Sequence, residues 1–202
     1  GLNAKAALYA IEQVKMEKGC EIPVMVSATI NDRSGRLLSG QRVDALYTAL
    51  SHYDIISFGL NCSFGAAELL PFMEQLANEA FGGKGIPCAL SMYPNAGLLN
   101  ELGQYDETPE FTAKCVKEVA QKALLNIAGG CCGTTPDHIR AIKEALDGVA
   151  PRRVPDKGES EAECGGSGDD LWVSGLETLL INKEKNNFIN VGERTNVAGS
   201  AK

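Results

Sequence analysis

Residues 54–62 read DIISFGLNC, and residues 65–81 read GAAELLPFMEQLANEAF. The first stretch is short and mostly apolar, as a buried strand is, whereas the second carries apolar side chains at helical spacing. Similar strand-then-helix pairs begin near positions 22, 86 and 124, so the unit recurs about every 32–38 residues, which is the length of a βαβ unit. Strands are predicted over 22–30, 54–62, 86–94 and 124–132, and helices over 4–18, 41–52, 65–81, 109–123 and 134–148.

Four strand–helix units in succession predict an α/β fold, with a parallel sheet and helices outside it. Two architectures satisfy this pattern, a doubly wound sheet and a (β/α)8 TIM barrel. Four units make only half of a barrel. The chain also begins at Gly1, without a methionine and already in a helical pattern. We therefore expect a piece of something longer.

Composition excludes several classes of partner. The chain has 202 residues, of which 44% are hydrophobic and 22% are charged, both ordinary for a globular protein. Its net charge of -7 argues against nucleic acid or an anionic membrane as the main partner. No apolar run approaches the roughly 18 residues that a membrane span needs. Seven cysteines in a chain too large to need disulfides indicate a reducing compartment, and we predict the cytoplasm.

The composition changes at Pro151. Residues 151–170 hold almost no large apolar side chains and carry six acidic against three basic residues, which predicts a flexible acidic linker. Beyond it, residues 172–181 and 186–196 are predicted as short strands. We interpret them as the first strands of a second α/β domain, which spans residues 171–202.

The strongest local signal for chemistry is the adjacent pair Cys131 and Cys132, which three glycines flank. Adjacent side chains in a strand point to opposite faces, so both thiols reach one ion only if the backbone turns sharply, which glycine permits. The pair also precedes the helix that begins at Thr135, and a helix N-terminus favours a thiolate. Metal ligation is one interpretation. Buried thiols or a strained vicinal disulfide remain alternatives.

Cys62 strengthens the metal interpretation, because it also lies at the C-terminal end of a predicted strand. In parallel α/β folds these ends share one edge of the sheet, and active sites lie there. Three thiolates at that edge suit a Zn²⁺ site with one open position, which is the catalytic arrangement, whereas four protein ligands are structural.

Other cysteines and both histidines are assigned no ligand role. We predict that Cys88 and Cys115 are apolar core residues, and that Cys164 is an exposed linker thiol. Cys20 precedes the first strand. His138 is predicted to cap a helix, and His52 to have no role.

Five highly specific stretches are spread in order over nearly the whole chain, apart from the linker. They are VMVSATINDRSGRLLSGQ (24–41), FGLNCSFGAAEL (58–69), YPNAGL (93–98), NIAGGCCGTTPDHI (126–139) and FINVGERTNVAGSAK (188–202). Together they resemble cobalamin-dependent methionine synthase. The resemblance implies that residues 1–150 are the C-terminal half of a homocysteine-binding TIM barrel. It also implies that residues 171–202 are the entry to a pterin-binding domain, itself a (β/α)8 barrel.

Site residues follow from the resemblance. It implies that Cys62, Cys131 and Cys132 are zinc ligands, in agreement with the argument from their positions. It further implies that Asn95 lies near the zinc and fills its open position before substrate arrives, with Asn61 as a neighbour of the site. The alternative is that both are ordinary loop asparagines in turns. Glu193 and Asn196 match positions that the family uses against the pterin ring.

The implied activity is that of a methyltransferase. Homocysteine takes a methyl group from methylcobalamin to give methionine, and 5-methyltetrahydrofolate remethylates the cobalamin. The cobalamin would be bound by a module of the same full-length protein that is absent from this chain, in which we find no cobalamin-ligating histidine motif. No nucleic-acid or membrane partner is expected.

Two other functions stay open. A cobalamin-independent homocysteine S-methyltransferase shares the barrel and the three cysteines, although such enzymes end after the barrel. A non-catalytic zinc or thiol module would need a fourth protein ligand or a Cys-x-x-Cys pair, and the sequence holds neither. Because half a barrel leaves unpaired strand edges, we also expect this chain alone to be poorly stable and inactive.

Overall fold

The computed structural model describes residues 1–79, 86–155, 171–181 and 188. Over these ranges a helix is followed by alternating strands and helices, so the predicted repeat is confirmed. The helices are α1 (Leu2–Lys18), α2 (Val43–Leu50), α3 (Ala66–Glu74), α4 (Pro109–Gln121) and α5 (Pro136–Ala145). The strands are β1 (Val24–Ala28), β2 (Ile55–Asn61), β3 (Ala89–Tyr93), β4 (Ile127–Ala128), β5 (Leu171–Ser174) and β6 (Thr178–Ile181).

The first four strands form one parallel sheet in the order β1-β2-β3-β4. Gly59 lies opposite Ser91 in the β2–β3 pair, and Met92 lies opposite Ala128 in the β3–β4 pair. The spatial order repeats the chain order, so each unit adds the next strand at the same edge. A doubly wound sheet would instead reverse direction at a switch point. The sheet is thus compatible with part of a TIM-barrel-like domain.

Helix ends follow the sequence closely. α1 ends where Gly19 adopts a left-handed conformation with φ of 59°, which glycine takes without a steric penalty. α4 begins after Thr108, whose hydroxyl accepts a hydrogen bond from the Phe111 N–H at 3.3 Å, with Pro109 in the first position. No helix in the described part of the chain is long and apolar enough to cross a membrane.

The helix after β2 is irregular. Pro71 lies inside α3, where its ring removes one backbone hydrogen bond. The α-helix ends three residues later and continues as a π-helical turn over Gln75–Glu79. The regular helix predicted over 65–81 is therefore shorter than expected, and residues 80–85 lie outside the described ranges.

The core lies between the sheet and its helices. Tyr47 of α2 meets Phe58 of β2 edge to face, with ring centroids 5.1 Å apart, a favoured aromatic geometry. The largest fully buried side chains in the described residues include Phe58, Leu60, Leu69, Met73, Leu90 and Met92. The strands are not buried on both faces throughout, since Met25 of β1 is 49% exposed.

Residues 171–181 form an antiparallel hairpin, in which Trp172 lies opposite Leu180. The single strand predicted over 172–181 is therefore wrong, because a turn at residues 175–177 splits it. The hairpin contacts the segment before α2: Leu176 O accepts a hydrogen bond from the Arg42 N–H at 2.8 Å. The Arg36 guanidinium also lies 2.6 Å from the Glu177 carboxylate. Of the strand predicted over 186–196, only Phe188 is described, so a second domain stays a prediction.

The first residues after position 150 are anchored to the sheet domain. Arg152 is only 5% exposed, and its guanidinium donates hydrogen bonds to the carbonyls of Cys88 at 3.0 Å and Ile86 at 2.8 Å. The predicted linker, residues 151–170, therefore starts with a fixed residue. Its remainder, residues 156–170, lies outside the described ranges, as does Cys164.

Candidate metal centre

Three cysteines meet at the C-terminal edge of the sheet. The Cys62 and Cys132 sulfurs are 3.6 Å apart, and those of Cys131 and Cys132 are 3.9 Å apart. All three sulfurs lie within 4.8 Å of one another, and all three cysteines are free thiols that are partly buried. The structure therefore brings together the three residues that the sequence predicted as one site.

Cys62 follows β2 directly and leaves the strand in an unusual conformation. Cys62 and Ser63 have φ of 61° and 65°, in the left-handed region that non-glycine residues seldom adopt. The Cys62 N–H donates to Tyr93 O at 3.0 Å, and Phe64 N–H donates to Cys62 O at 2.8 Å. These bonds hold a strained turn that directs the thiol toward the other two. Strain of this kind is concentrated at functional sites.

The other two thiols, Cys131 and Cys132, lie on the loop between β4 and α5. The Cys131 N–H donates to Pro94 O at 2.7 Å, and Cys132 O accepts from Ala96 N–H at 2.9 Å. Gly133 then adopts φ of 77°, which supplies the sharp turn that the flanking glycines predicted. The loop that follows β3 therefore fixes both ends of the cysteine pair.

Asn95 lies on that same loop and is only 3% exposed. Its side-chain oxygen accepts a hydrogen bond from the Cys132 N–H at 3.1 Å, and its side chain lies close enough to Cys62 to help lower the pKa of that thiol. The asparagine is thus adjacent to two of the three thiols. Its position beside the cysteines agrees with what the resemblance implied, and a role as a fourth ligand stays a prediction.

Asn61 is directed elsewhere. Its side-chain oxygen accepts a hydrogen bond from the Ser27 hydroxyl at 2.7 Å, which links β2 to β1. The pair is exposed to solvent. This contact gives Asn61 a structural position between two strands. The predicted pterin contacts, Glu193 and Asn196, lie outside the described residues.

Local hydrogen bonds and burial affect the thiols differently. The pKa of Cys62 is lowered, chiefly by the backbone N–H of Ser63. Smaller contributions come from the side chains of Cys132, Cys131 and Asn95, and together they outweigh the partial burial, which raises the pKa. Burial, together with hydrogen bonds to Cys132 and Cys62, raises the pKa of Cys131 to about 11. The Cys62 thiolate is therefore easier to form than that of Cys131 when no ion is bound.

Tyr105 lies beside the site, although no pattern in the sequence predicts it there. Its ring lies against the backbone of Gly133, and burial together with the nearby Cys132 thiol raises the pKa of its hydroxyl. The residue comes from the long loop between β3 and α4, where no periodic pattern predicts which side chain turns inward. The position of Tyr105 beside the cysteines is visible only in the folded structure.

The remaining predictions on cysteine and histidine are mostly confirmed. Cys88 and Cys115 are buried in the core, and Cys20 is exposed. His138 caps α5, as predicted, because its Nδ1 bonds the Thr135 N–H at 3.2 Å. Its Nε2 also lies 3.0 Å from Glu107 O, so the histidine joins the β3–α4 loop to α5.

The thiol cluster fits zinc. Two sulfurs bonded at about 2.3 Å to one tetrahedral Zn²⁺ lie about 3.8 Å apart, and the distances of 3.6 Å and 3.9 Å bracket that value. Among the described residues this is the one group of three or more cysteine, histidine or acidic side chains close enough to hold an ion. Three protein ligands leave a tetrahedral ion one position for a substrate.

A cavity elsewhere does not compete for this role. The groove of about 630 Å³ beside β4 and α5 is bordered by Ala128, Ile139 and Ile142. It lacks the three thiols. The candidate functional site is therefore identified by its three cysteine sulfurs and not by the size of a cavity.

The comparison with protein families agrees with this geometry. The model of the family "Homocysteine S-methyltransferase" matches residues 1–146, a range that includes all three thiols, Asn95 and Tyr105. Enzymes of this kind methylate homocysteine, so a methyltransferase is indicated, and the thiol cluster is a group that could bind a metal ion. With most of its length matched, the chain belongs to the homocysteine S-methyltransferase family.

Proposed function

We propose that Cys62, Cys131 and Cys132 bind a zinc ion at which the sulfur of homocysteine is methylated to give methionine. The observation that carries this proposal is the approach of three free thiols to within 4.8 Å of one another, at the edge of the sheet where α/β enzymes place their active sites. The family match over residues 1–146 supports homocysteine as the acceptor.

The protein's contribution is to hold three thiolates in one place. The left-handed turn at Cys62 and the glycine turn after Cys132 direct the sulfurs inward. Asn95 accepts a hydrogen bond from the Cys132 N–H, so it fixes the two loops against each other. Such orientation of ligands by neighbouring groups is a general requirement of metal sites.

When bound, zinc would accept the substrate sulfur and favour its thiolate, which is the reactive form of a thiol. Three cysteine thiolates more than neutralise the charge of Zn²⁺, so electron density would stay on sulfur. A new S–CH3 bond then forms while the bond between the methyl group and its donor breaks. The electron pair of that bond leaves with the donor.

We further propose that the immediate donor is methylcobalamin and that 5-methyltetrahydrofolate is the methyl source. The stretch that supports this is residues 188–202, which follows the matched family domain and resembles cobalamin-dependent methionine synthase. In this proposal residues 151–170 are a linker and 171–202 begin a pterin-binding domain, with Glu193 and Asn196 against the pterin. A cobalamin module of the same full-length protein would deliver the methyl group.

Cysteine-to-serine variants test the metal centre. In the complete enzyme, Cys62→Ser, Cys131→Ser and Cys132→Ser should each lose bound zinc and homocysteine methylation together, because a hydroxyl is a poor zinc ligand. Cys20→Ser is the matched control, since Cys20 is exposed. It should keep both properties. Full zinc content in any of the three variants would remove that residue from the ligand set.

The identity of the donor is tested separately. The complete enzyme should methylate homocysteine with methylcobalamin and not with betaine or S-methylmethionine. Turnover with either of the latter two would favour a cobalamin-independent methyltransferase. X-ray absorption at the zinc edge should show one more sulfur neighbour after homocysteine is added. A zinc site that does not change on adding homocysteine would favour a non-catalytic module.

A further inference from the structure

A closed ring of hydrogen bonds includes the loop that carries Cys131 and Cys132. On one side, Cys132 O accepts from the Ala96 N–H at 2.9 Å, and Ala96 O accepts from the Glu107 N–H at 3.2 Å. Ala96 therefore connects the cysteine loop to the far end of the β3–α4 loop through both of its backbone groups. The ring returns to the cysteine loop through the imidazole of His138.

The imidazole uses both of its nitrogens in this ring. Its Nδ1 accepts a hydrogen bond from the Thr135 N–H at 3.2 Å, and its Nε2 lies 3.0 Å from Glu107 O. A backbone N–H can only donate and a carbonyl can only accept, so Nε2 carries the proton and Nδ1 does not. His138 is only 5% exposed, so both bonds are shielded from competing water.

Thr135 lies where the cysteine loop ends. The Thr134 N–H donates to Cys131 O at 3.2 Å, which closes a turn from Cys131 to Thr134, and α5 begins directly after Thr135. Gly133 within this turn has φ of 77°, and glycine leaves the backbone more conformational freedom than any other residue. The turn therefore needs support from outside, and the imidazole of His138 supplies it at Thr135.

We propose that His138 is a positioning residue of the metal centre, which donates its Nε2 proton to Glu107 O and so holds the β3–α4 loop against the start of α5. That loop follows Tyr93, whose carbonyl accepts from the Cys62 N–H at 3.0 Å. The link thus fixes the Cys132 sulfur relative to that of Cys62. This inference rests on the proposed function, and it acts through the backbone, because metal ligands bind best when their surroundings hold them in place.

Two replacements of similar shape separate the two hydrogen bonds of His138. In His138→Asn the side-chain oxygen takes the place of Nδ1, so the cap of α5 is kept and the link to Glu107 is lost. In His138→Gln the amide nitrogen takes the place of Nε2, so the link is kept. Zinc affinity is measured by competition with a chromophoric chelator. It should fall about 10-fold in His138→Asn, the lower end of the usual effect of losing a partner of a metal ligand, and stay within about twofold of wild type in His138→Gln.

His52→Asn is the matched control. His52 is the other of the two histidines in the chain, is exposed, and packs against Tyr53 before β2. Its variant should bind zinc as wild type does. Equal zinc affinity in His138→Asn and wild type would overturn the inference alone. So would equal losses in His138→Asn and His138→Gln, since the donor that glutamine retains would then have no effect.

The proton on Nε2 is tested without any variant. Heteronuclear NMR of the metal-free protein, above neutral pH where a free imidazole is uncharged, should show His138 protonated at Nε2 and unprotonated at Nδ1. A proton on Nδ1 would break the ring at Thr135 and overturn the inference, even in a protein that binds zinc. A wild-type protein with the expected proton position that binds no zinc would overturn the proposed function, and this inference with it.

Discussion

The side-chain oxygen of Asn95 accepts a hydrogen bond from the backbone N–H of Cys132 at 3.1 Å. This contact joins the loop after β3 to the loop after β4, and it lies inside the protein, where Asn95 is 3% exposed. Two loops that come from separate strands thereby become one rigid support for the thiols.

Asn95→Ala should weaken both the fold and the metal site. The buried Cys132 N–H loses its acceptor, which costs about 1–3 kcal/mol in the free energy of unfolding. Zinc affinity should fall about 10- to 100-fold, because the sulfurs of Cys132 and Cys62 both lose a fixed neighbour. Urea unfolding and chelator competition measure the two effects on the same preparation.

Asn126→Ala provides the control for this prediction. Asn126 is a bridging amide of the same kind, whose oxygen accepts from Leu90 N–H at 2.9 Å and whose amide donates to Arg152 O at 2.7 Å. It precedes β4, at the opposite end of the sheet from the thiols. Its loss should lower stability by a similar amount and leave zinc affinity unchanged. Equal losses of zinc affinity in the two variants would contradict a local role for Asn95.

Gly133→Ala should destabilise the protein more than the same change at another turn glycine. Gly133 has φ of 77° and Gly148 has φ of 73°, so alanine at either position costs about 1–2 kcal/mol of backbone strain. Only at Gly133 does the new methyl group also collide with Tyr105, whereas a Cβ at Gly148 meets nothing within 4 Å. The difference between the two variants isolates the contact with Tyr105.

Urea unfolding and chelator competition again provide the measurements. Gly133→Ala should lose zinc affinity along with stability, because Tyr105 must move away from Cys132. Gly148→Ala should lose stability only. If both variants lose the same stability and both retain zinc, the Tyr105 ring does not press on the turn in solution.

Much of this arrangement follows from sequence because it depends on local rules. The cap at Thr108 and the glycine turn after α1 are encoded within a few residues of the helix ends. The convergence of Cys62 with Cys131 follows from topology, since parallel strands end at one edge.

Other features depend on contacts between residues that are far apart in sequence, and the spacing of apolar residues does not predict such contacts. Tyr105 lies against Gly133 on a loop that closes on itself through Leu99. Asn61 hydrogen-bonds Ser27, 34 residues earlier. The hairpin at residues 171–181 has a turn with a single glycine, so its sequence pattern predicts one strand.

Glu107→Gln should stabilise the protein at neutral pH and have little effect in acid. Burial, opposed by the hydrogen bond from the Thr112 hydroxyl and reinforced by the nearby Glu68 and Asp106 carboxylates, raises the pKa of Glu107 above 4.5. The folded state therefore holds this proton more tightly than the unfolded state. The free energy of unfolding therefore decreases as pH rises from the ordinary pKa of the carboxyl through its raised pKa in the folded state. Above the raised pKa the protein stays less stable by the same amount.

The glutamine variant has no proton to lose, so its advantage should appear at pH 7 and vanish near pH 4, below the ordinary pKa. Urea unfolding at the two pH values gives the comparison. Glu118→Gln, at an exposed position on α4, controls for the loss of one negative charge. A Glu107→Gln protein that is less stable than wild type at pH 7 would show that the Thr112 hydrogen bond outweighs burial.

Arg152 should define how far the sheet domain extends. Its backbone N–H donates to Leu125 O at 3.0 Å, and its buried guanidinium bonds the carbonyls of Cys88 and Ile86. Arg152→Ala leaves these two carbonyls without their partner, which costs about 1–3 kcal/mol in the free energy of unfolding. Arg153→Ala, at the exposed neighbouring position, should change it by about 0.5 kcal/mol or less.

Zinc affinity should not change in either arginine variant, since Arg152 bonds residues that precede β3, at the end of the sheet away from the thiols. If Arg152→Ala matches Arg153→Ala in stability, the domain ends before residue 152. If instead Arg152→Ala loses zinc as well as stability, the two ends of the sheet are coupled, and β3 is the element that connects them, because Ile86 and Cys88 lead into it and Asn95 follows it.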